Sequence, residues 1–217
     1  MLTQKIALIT GAKGSLGSEV TRAFLTARAT VIGVSRSIAP GDFQHPAFTA
    51  LPADLATSDI ARQIVAQVVA RFGRIDVLAH VMGGFAGGQS VADTDDATLE
   101  SMLDANFRAA FHVARAVIPQ MRRQAGGRIV IVASRQGVEP AAMVGAYSAS
   151  KAALVSLVKT IALENKDAGI TANSVLPGTM GPTQVLPAEV AALMVHLASD
   201  AAAQITGAAI PVYGTQL

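Results

Sequence analysis

The residues best suited to chemistry are a tyrosine and a lysine four positions apart, Tyr147 and Lys151. At that spacing, two side chains share one face of a helix. A free tyrosine has a pKa of about 10, too high for easy proton exchange at neutral pH, and a neighbouring ammonium is expected to lower that pKa. The pair could then act as a general acid or base centred on Tyr147. The competing interpretation is an incidental pair of surface residues.

A second chemical signal lies at residues 10–17, where TGAKGSLG stands between an apolar run and a helical pattern. Glycines permit a tight turn and a close approach of the backbone to a phosphate, and a helix that follows offers free N–H groups. Three glycines alone are weak evidence, but strand, glycines and helix in this order predict a dinucleotide-binding turn. A glycine-rich turn without a ligand is the alternative.

The end of the second apolar run indicates which dinucleotide is bound. In such a fold, an acid there binds the ribose 2′-hydroxyl of NAD, whereas a basic residue accommodates the 2′-phosphate of NADP. The sequence has Ser35 and Arg36 at this point and no acid. Because Arg36 could form a forked contact to a phosphate, we expect NADP(H) to be preferred, with NAD(H) still open. An ordinary exposed loop arginine is the other interpretation.

Elements that could position these residues alternate along the whole chain. Short apolar runs predict strands at residues 5–10, 30–35, 48–53, 76–82, 128–133, 171–176 and 208–213. Helical spacing predicts helices at residues 15–27, 59–72, 99–123, 147–165 and 187–198, with a kink or an end near Pro119. This alternation is typical of the α/β class, here one doubly wound Rossmann-type domain over residues 1–217 with a mostly parallel seven-stranded sheet flanked by helices.

These features resemble the short-chain dehydrogenase/reductase family over nearly the whole chain. The glycine-rich turn is similar to the family's TGxxxGxG, except that Ser15 stands where the middle glycine is usual. The sequence YSASK at residues 147–151 matches YxxxK, and Ser134 precedes Tyr147 by thirteen residues, as in the family. Further matches to the family's motifs are Asp54, Leu55, Asn106, Pro177 and Gly178.

The resemblance implies an NAD(P)H-dependent oxidoreductase acting on a small carbonyl, alcohol or imine substrate. Tyr147 would be the general acid or base, Ser134 would donate a hydrogen bond to the substrate oxygen, and Lys151 would hold the nicotinamide ribose. Asn106 would anchor a water that links Lys151 to solvent. Purely structural roles for Ser134 and Asn106 are the alternatives, and no metal is expected. The cofactor would contact Gly11, Lys13, Gly14, Ser15, Leu16, Gly17, Ser35, Arg36, Asp54, Leu55, Met82, Gly83, Gly84, Tyr147, Lys151, Pro177, Gly178 and Thr179.

Two departures from the family's pattern follow the fourth predicted strand. Residues 80–83 read HVMG where NNAG is usual, and since His80 has no partner at metal-ligand spacing, we expect a hydrogen-bonded structural histidine. Residues 83–88 read GGFAGG, which resembles a loop of the dihydropteridine reductases, a branch of the same family. That branch commonly has alanine where Ser134 stands and prefers NADH, so a pteridine substrate is the alternative hypothesis.

A further departure is the short segment between Gly178 and the helix predicted at residues 187–198. Family members usually carry one or two short helices here that cover the substrate, so we expect the lid to be largely absent. Weak and broad substrate binding would follow, because a lid excludes water and fixes the substrate. The shape of the pocket would depend on Phe85, Arg135, Gln136 and Met143.

Composition excludes several classes of protein. Of 217 residues, 51% are hydrophobic and 15% charged, the reverse of a disordered chain, and the lack of cysteine excludes disulfides and thiol chemistry. The net charge is +2 without a block of basic residues, so nucleic acid is not an expected partner. Residues 141–163 are interrupted by Tyr147, Lys151 and Lys159, which argues against a membrane span, and no signal-peptide layout is present. The predicted location is the cytoplasm.

The expected partners are a small-molecule substrate and further copies of the chain. Apolar residues on more than one face of the helix that follows Tyr147 predict a homodimer or homotetramer. Two other interpretations remain: a non-catalytic dinucleotide-binding sensor, favoured by the missing lid, and a structural subunit with a vestigial site. The complete set of Asn106, Ser134, Tyr147 and Lys151 favours an enzyme.

Overall fold

In the computed structural model, which describes residues 1–214, seven strands form one parallel sheet. The strands are β1 (Ile6–Thr10), β2 (Thr30–Ser35), β3 (Phe48–Pro52), β4 (Val77–His80), β5 (Gly127–Val132), β6 (Ile170–Pro177) and β7 (Ala209–Val212). Their order across the sheet is β3-β2-β1-β4-β5-β6-β7. The winding direction reverses between β1 and β4, and the carboxyl ends of strands at such a point leave a crevice for ligands.

Within the described residues, helices cover both faces of the sheet. They are α1 (Ser15–Thr26), α2 (Ser58–Phe72), α3 (Asp96–Met102), α4 (Ala109–Arg123), α5 (Gly145–Asn165) and α6 (Pro187–Ala198). A π-helical turn, Leu103–Arg108, joins α3 to α4. The core residues of α1 and α6 pack on one face of the sheet, and those of α2, α4 and α5 pack on the other. None of the helices in this part of the chain is both long and apolar enough to cross a bilayer.

The strands form where the sequence has unbroken apolar runs, because a sheet covered on both faces has no polar side. Every residue of β4 is buried, as is every residue of β6. Helix ends follow local signals: the Thr57 side chain accepts a hydrogen bond from the N–H of Ile60 at the start of α2, and the helix stops at Gly73 with φ 76°. A left-handed backbone conformation after the last turn of a helix is adopted most easily by glycine.

Several element boundaries differ from the sequence predictions. The helix expected from residue 99 begins at Asp96, because the Asp95 carboxylate accepts a hydrogen bond from the N–H of Thr98 at 2.7 Å. Helix α4 does not end at Pro119 but continues to Arg123; fully buried residues on both sides of the proline hold it in place. Strand β4 ends two residues before the predicted end, at His80, and α5 begins two residues before Tyr147.

Candidate active site

A groove of about 910 Å³ runs along the carboxyl ends of β1, β2 and β4. It is lined by much of the predicted cofactor set: Gly11, Lys13, Gly14, Ser15, Leu16, Gly17, Ser35, Arg36, Asp54, Leu55, Met82 and Gly83. The far wall comes from α3 and the π-helical turn, through Ala97, Glu100, Ser101 and Asp104. Sequence reasoning missed this wall, because nothing in its residue types signals a ligand.

The glycine-rich turn is a backbone cradle that side chains would fill. Gly11 has φ +71°, and a Cβ there would lie 2.7 Å from the backbone nitrogen of Met82. A Cβ at Gly17 would lie 1.9 Å from the carbonyl oxygen of Gly11. No side chain caps the start of α1 at Gly14, so its first N–H groups are open to a ligand. The turn and groove therefore fit a dinucleotide phosphate.

The end of β2 is cationic. The N–H of Lys13 donates to Ser35 Oγ at 3.1 Å, and the Lys13 ammonium lies 3.0 Å from the Asp42 carboxylate, which offsets its charge. Arg36 is exposed in the groove and forms no hydrogen bond or ion pair with any residue among 1–214. A guanidinium with five free N–H donors is thus available where the ribose of a dinucleotide would lie.

Lys151 is 5% exposed and lies next to Gly83, a residue that lines the groove. Its Nζ donates to the carbonyl oxygen of Val132 at 3.2 Å, and burial lowers the pKa of Lys151 to about 8. A Cβ on Gly83 would lie 3.2 Å from Lys151 Nζ and 2.7 Å from Asn106 Oδ1. The absence of a side chain at Gly83 therefore leaves room for both the lysine and the asparagine beside the groove.

Tyr147 stands in the first turn of α5, with Lys151 Nζ 5.9 Å from its ring centroid. The sequence predicts a lowered pKa for Tyr147, and this prediction is wrong: the protein groups around the phenol raise its pKa. Burial raises the pKa, because the phenolate loses hydration, and a hydrogen bond with Ser134 offsets only part of that effect. The phenol is therefore neutral at physiological pH.

Ser134 lies two residues after the end of β5 and is 5% exposed. Its hydroxyl donates to Gln136 Oε1 at 2.6 Å and accepts the Gln136 N–H at 3.3 Å. Gln136 was expected only to shape the pocket. In the structure, it holds the hydroxyl that is predicted to bind the substrate oxygen.

Asn106 is fully buried in the π-helical turn, and both polar atoms of its side chain form hydrogen bonds. Oδ1 accepts the Gly84 N–H at 3.0 Å, while Nδ2 donates to the Gly84 carbonyl at 3.1 Å and to Ser150 Oγ at 3.0 Å. Ser150 in turn donates to the carbonyl of Tyr147 at 2.7 Å. Asn106 thus ties the loop after β4 to the tyrosine helix, and Ser150 is a link that sequence reasoning missed.

His80 ends β4 and is fully buried, in the structural role predicted for it. Its Nδ1 lies 2.8 Å from Thr10 Oγ1, whereas Nε2 has no partner among the described residues. Burial, helped by the charge of Lys151, lowers the pKa of His80 to about 3, so the imidazole is neutral. Residues 1–214 contain no group of three or more His, Asp or Glu side chains that could hold a metal ion.

The outer side of the site is exposed and apolar. Phe85 is 69% exposed and packs edge-on against Tyr147, with ring centroids 5.0 Å apart. The N–H of Gly88 donates to the Met143 carbonyl at 2.8 Å, which ties the loop at residues 83–88 to the segment before α5. This loop forms one wall of the site.

The segment between β6 and α6 folds back on itself without forming a helix. The Gly178 N–H donates to the Val212 carbonyl at 2.9 Å, and the Val185 N–H donates to the Thr179 carbonyl at 3.2 Å. Pro177 is buried at the end of β6, and Gly178 and Thr179 line a separate cavity beside the groove.

Comparisons with known proteins agree with this geometry. The sequence profile described as short chain dehydrogenase matches residues 5–192. The short-chain dehydrogenase/reductase cdmF of Talaromyces verruculosus is 32% identical, across 98% of this chain and 96% of that protein. An acetoacetyl-CoA reductase of an Acinetobacter species is 29% identical, across 99% of this chain and 98% of that protein.

A solved short-chain dehydrogenase/reductase from Burkholderia xenovorans shares the whole fold. It superposes with a TM-score of 0.91 at 29% identity, over 98% of this chain and 96% of that one. The chain belongs to the short-chain dehydrogenase/reductase family, whose members are oxidoreductases that bind a nicotinamide cofactor.

Proposed function

We propose that this protein reduces a small carbonyl compound with NADPH and that Tyr147 donates the proton. The observation that carries the proposal is a neutral, half-buried phenol close to Ser134, with the buried ammonium of Lys151 5.9 Å from its ring centroid and next to Gly83 at the cofactor groove. The acetoacetyl-CoA reductase among the relatives supports a carbonyl substrate.

The cofactor supplies a hydride when bound. Tyr147 gives its proton to the substrate oxygen, and Ser134 donates a hydrogen bond to that oxygen as negative charge develops. The substrate oxygen must first replace Gln136 as the acceptor of the Ser134 hydroxyl, because the two compete for one proton. The raised pKa of Tyr147 keeps it in the acid form that reduction requires.

Lys151 has two roles in this proposal. Because the pKa of Lys151 is about 8, the lysine is protonated in most molecules at pH 7. Its ammonium stabilises the Tyr147 phenolate that is left after proton transfer. Its position beside Gly83 also suits contact with the nicotinamide ribose. The Asn106 side chain already forms hydrogen bonds within the protein. A relay water would therefore bind a backbone carbonyl of the π-helical turn, because the regular helical hydrogen-bond pattern is interrupted there.

The preference for NADPH rests on Arg36. It stands at the end of β2 with no acid beside it and no partner among residues 1–214. A guanidinium forms forked, charge-assisted hydrogen bonds to phosphate, and the extra phosphate of NADP lies at this end of the groove in dinucleotide-binding folds. NAD(H) would bind without this contact and therefore more weakly.

A second candidate function is reduction of a flat, quinonoid pteridine. The edge-on packing of Phe85 on Tyr147 favours it, because the exposed ring could stack on a planar substrate beside the proton donor. The GGFAGG sequence of this loop is the feature that resembles the dihydropteridine reductases. Ser134, where that branch commonly has alanine, favours the carbonyl substrate instead.

The test is a calorimetric titration with NADPH and NADH, followed by turnover assays on ketones, quinones and quinonoid pteridines. Tighter binding of NADPH and turnover of ketones is the expected result. Turnover of quinonoid pteridines alone would favour the second candidate. Binding without any turnover would make the protein a sensor, and absence of dinucleotide binding would overturn the proposal.

We also propose that the protein is a cytoplasmic homo-oligomer. Leu163 on α5 is 75% exposed and Phe111 on α4 is 38% exposed, although apolar side chains of this size are usually buried. An interface between copies over α4 and α5 would cover both. Light scattering at micromolar concentration should give a dimer or tetramer, and a monomer would refute this part of the proposal.

A further inference from the structure

A second cavity, of about 360 Å³, lies beside the catalytic centre. Its walls come from the residues that follow β5, β6 and β7, including Arg135, Gln136, Glu139, Thr179 and Tyr213. Gln136 connects it to the site, since the same side chain accepts the Ser134 hydroxyl hydrogen bond. A substrate whose oxygen binds Ser134 would therefore extend into this cavity.

The guanidinium of Arg135 is held on one edge and one face. Its Nε donates to Glu139 Oε2 at 2.7 Å, and its plane lies over the Tyr213 ring, 4.7 Å from the centroid. Burial, together with the Glu139 carboxylate, raises the pKa of Tyr213, the third member of the cluster. Two side chains, Glu139 and Tyr213, thus orient the guanidinium of Arg135.

The outer edge of this guanidinium is unused. Its two terminal nitrogens form no hydrogen bond within the described part of the chain, residues 1–214. A planar fork of this kind matches a carboxylate and binds it through two parallel hydrogen bonds. Glu139 does not block such binding, because its contact is to Nε and its side chain is 50% exposed.

We propose that Arg135 binds a carboxylate carried by the substrate, so that the substrate is an oxo acid rather than a neutral ketone. This inference rests on the proposed carbonyl reduction. The small cavity favours a compact acid, and the nearby charge of Glu139 favours a monoanion over a dianionic phosphate. Arg135 thereby determines specificity next to Ser134, without taking part in proton or hydride transfer.

The experiment measures NADPH-dependent reduction of a γ-oxo acid and of its methyl ester, whose ketone groups are equally reactive. For the unaltered protein, kcat/KM should be roughly ten-fold or more higher for the acid, the effect of a charge-assisted forked contact. In Arg135→Gln, the preference should disappear through a higher KM for the acid. The KM for the ester should stay within about two-fold, as expected if only a charge contact is lost.

Glu139→Gln is the matched variant with the opposite expected sign. Removing the competing carboxylate should increase the preference for the acid by a few-fold, whereas Arg135→Lys, which keeps the charge and loses the fork, should give an intermediate preference. NADPH affinity checks that each variant is folded. If Arg135→Gln does not bind NADPH, two other measurements decide the question. One is the acid-to-ester ratio of kcat/KM in Glu139→Gln. The other is the acid preference of the unaltered protein at high salt, which should fall if the contact is between charges.

Two results separate this inference from the proposed function. Reduction of neutral ketones with the same acid-to-ester ratio in the unaltered protein, Arg135→Gln and Glu139→Gln would overturn the carboxylate site alone. A lower acid preference in Glu139→Gln would do the same. Bound NADPH without reduction of any carbonyl compound would overturn the proposed function, and the carboxylate site with it.

Discussion

The two sides of the catalytic centre are built in opposite ways. The inner wall, formed by His80, Asn106 and Lys151, is 0% to 5% exposed, and the asparagine and lysine are anchored to backbone atoms. The proposed substrate mouth consists of Phe85 and Met143, whose side chains are 69% and 49% exposed. In the proposed mechanism, the chemistry is thus placed on a well-packed scaffold, whereas selectivity would depend on a few side chains with little packing around them.

The largest effect is expected where the two sides meet, at Tyr147. Tyr147→Phe should lower kcat by about 10²–10⁴-fold, because general acid catalysis by a positioned side chain contributes that much. NADPH affinity should be unchanged, since the ring and its packing remain. Steady-state kinetics on a substrate from the screen and a cofactor titration check both. A near-normal kcat would remove Tyr147 from the mechanism.

Arg36 tests the outer end of the cofactor groove. Arg36→Ala should weaken NADPH binding by roughly ten- to 150-fold, the range for hydrogen bonds to a charged group, and should leave NADH binding unchanged. Arg62→Ala is the matched control, since Arg62 is an exposed arginine on α2 that pairs with Asp59. If NADH binds the unaltered protein as tightly as NADPH, the assigned preference is wrong.

His80 tests how rigidly the inner wall excludes water. The folded pKa is about 3, below the 6.5 of a free histidine, so between these values the unfolded chain binds a proton that the folded chain does not. The free energy of unfolding should therefore fall by about 1.4 kcal/mol for each pH unit between pH 6 and pH 4, from this group alone. Well above pH 6.5, where the imidazole is unprotonated in both states, the contribution is constant.

Denaturant unfolding at several pH values measures this slope. In His80→Asn the slope should be smaller, whatever the stability of the variant at pH 7. His196→Asn, which replaces an exposed histidine on α6, should keep the slope of the unaltered protein. Equal slopes for the His80→Asn variant and the unaltered protein would mean that water reaches the buried imidazole.

The smallest effect is expected at the substrate mouth. Phe85→Ala should raise KM by about three- to ten-fold and change kcat little, because an aromatic contact of about 0.5–1.5 kcal/mol would be lost equally from ground state and transition state. A flat substrate should be affected more than a compact aliphatic one. A lower kcat at unchanged KM would instead place Phe85 in the positioning of Tyr147.

Most of the fold could be predicted from the sequence, because buried parallel strands and covering helices have distinct periods. The phosphate turn could also be predicted from the sequence, because only glycine fits there: a Cβ at Gly11 or Gly17 would lie 1.9–2.8 Å from backbone atoms. The residue at which β4 ends was harder to predict from the sequence. The apolar run continues past His80 to Met82, but the chain leaves the sheet after His80, where pairing with β5 stops.

The electrostatics of the site could not be predicted from residue types. Spacing brings Tyr147 and Lys151 to one face, but the balance between burial and hydrogen bonding decides the direction of the tyrosine pKa. The links through Ser150 and Gln136 also depend on tertiary contacts, across 44 residues in the case of Asn106 and Ser150. Local pattern carries no information on such pairs.

The central claim is that a hydride moves from a nicotinamide in the groove to a carbonyl carbon beside Tyr147. The most direct test uses NADPH with deuterium at one or the other of its two C4 positions, together with a ketone identified by the screen. In the proposed mechanism, Ser134 and Tyr147 hold the substrate oxygen in one place, so hydride should leave from only one face of the nicotinamide. We expect one deuterium in the alcohol from one labelled form and none from the other. An alcohol without deuterium from either form would contradict it.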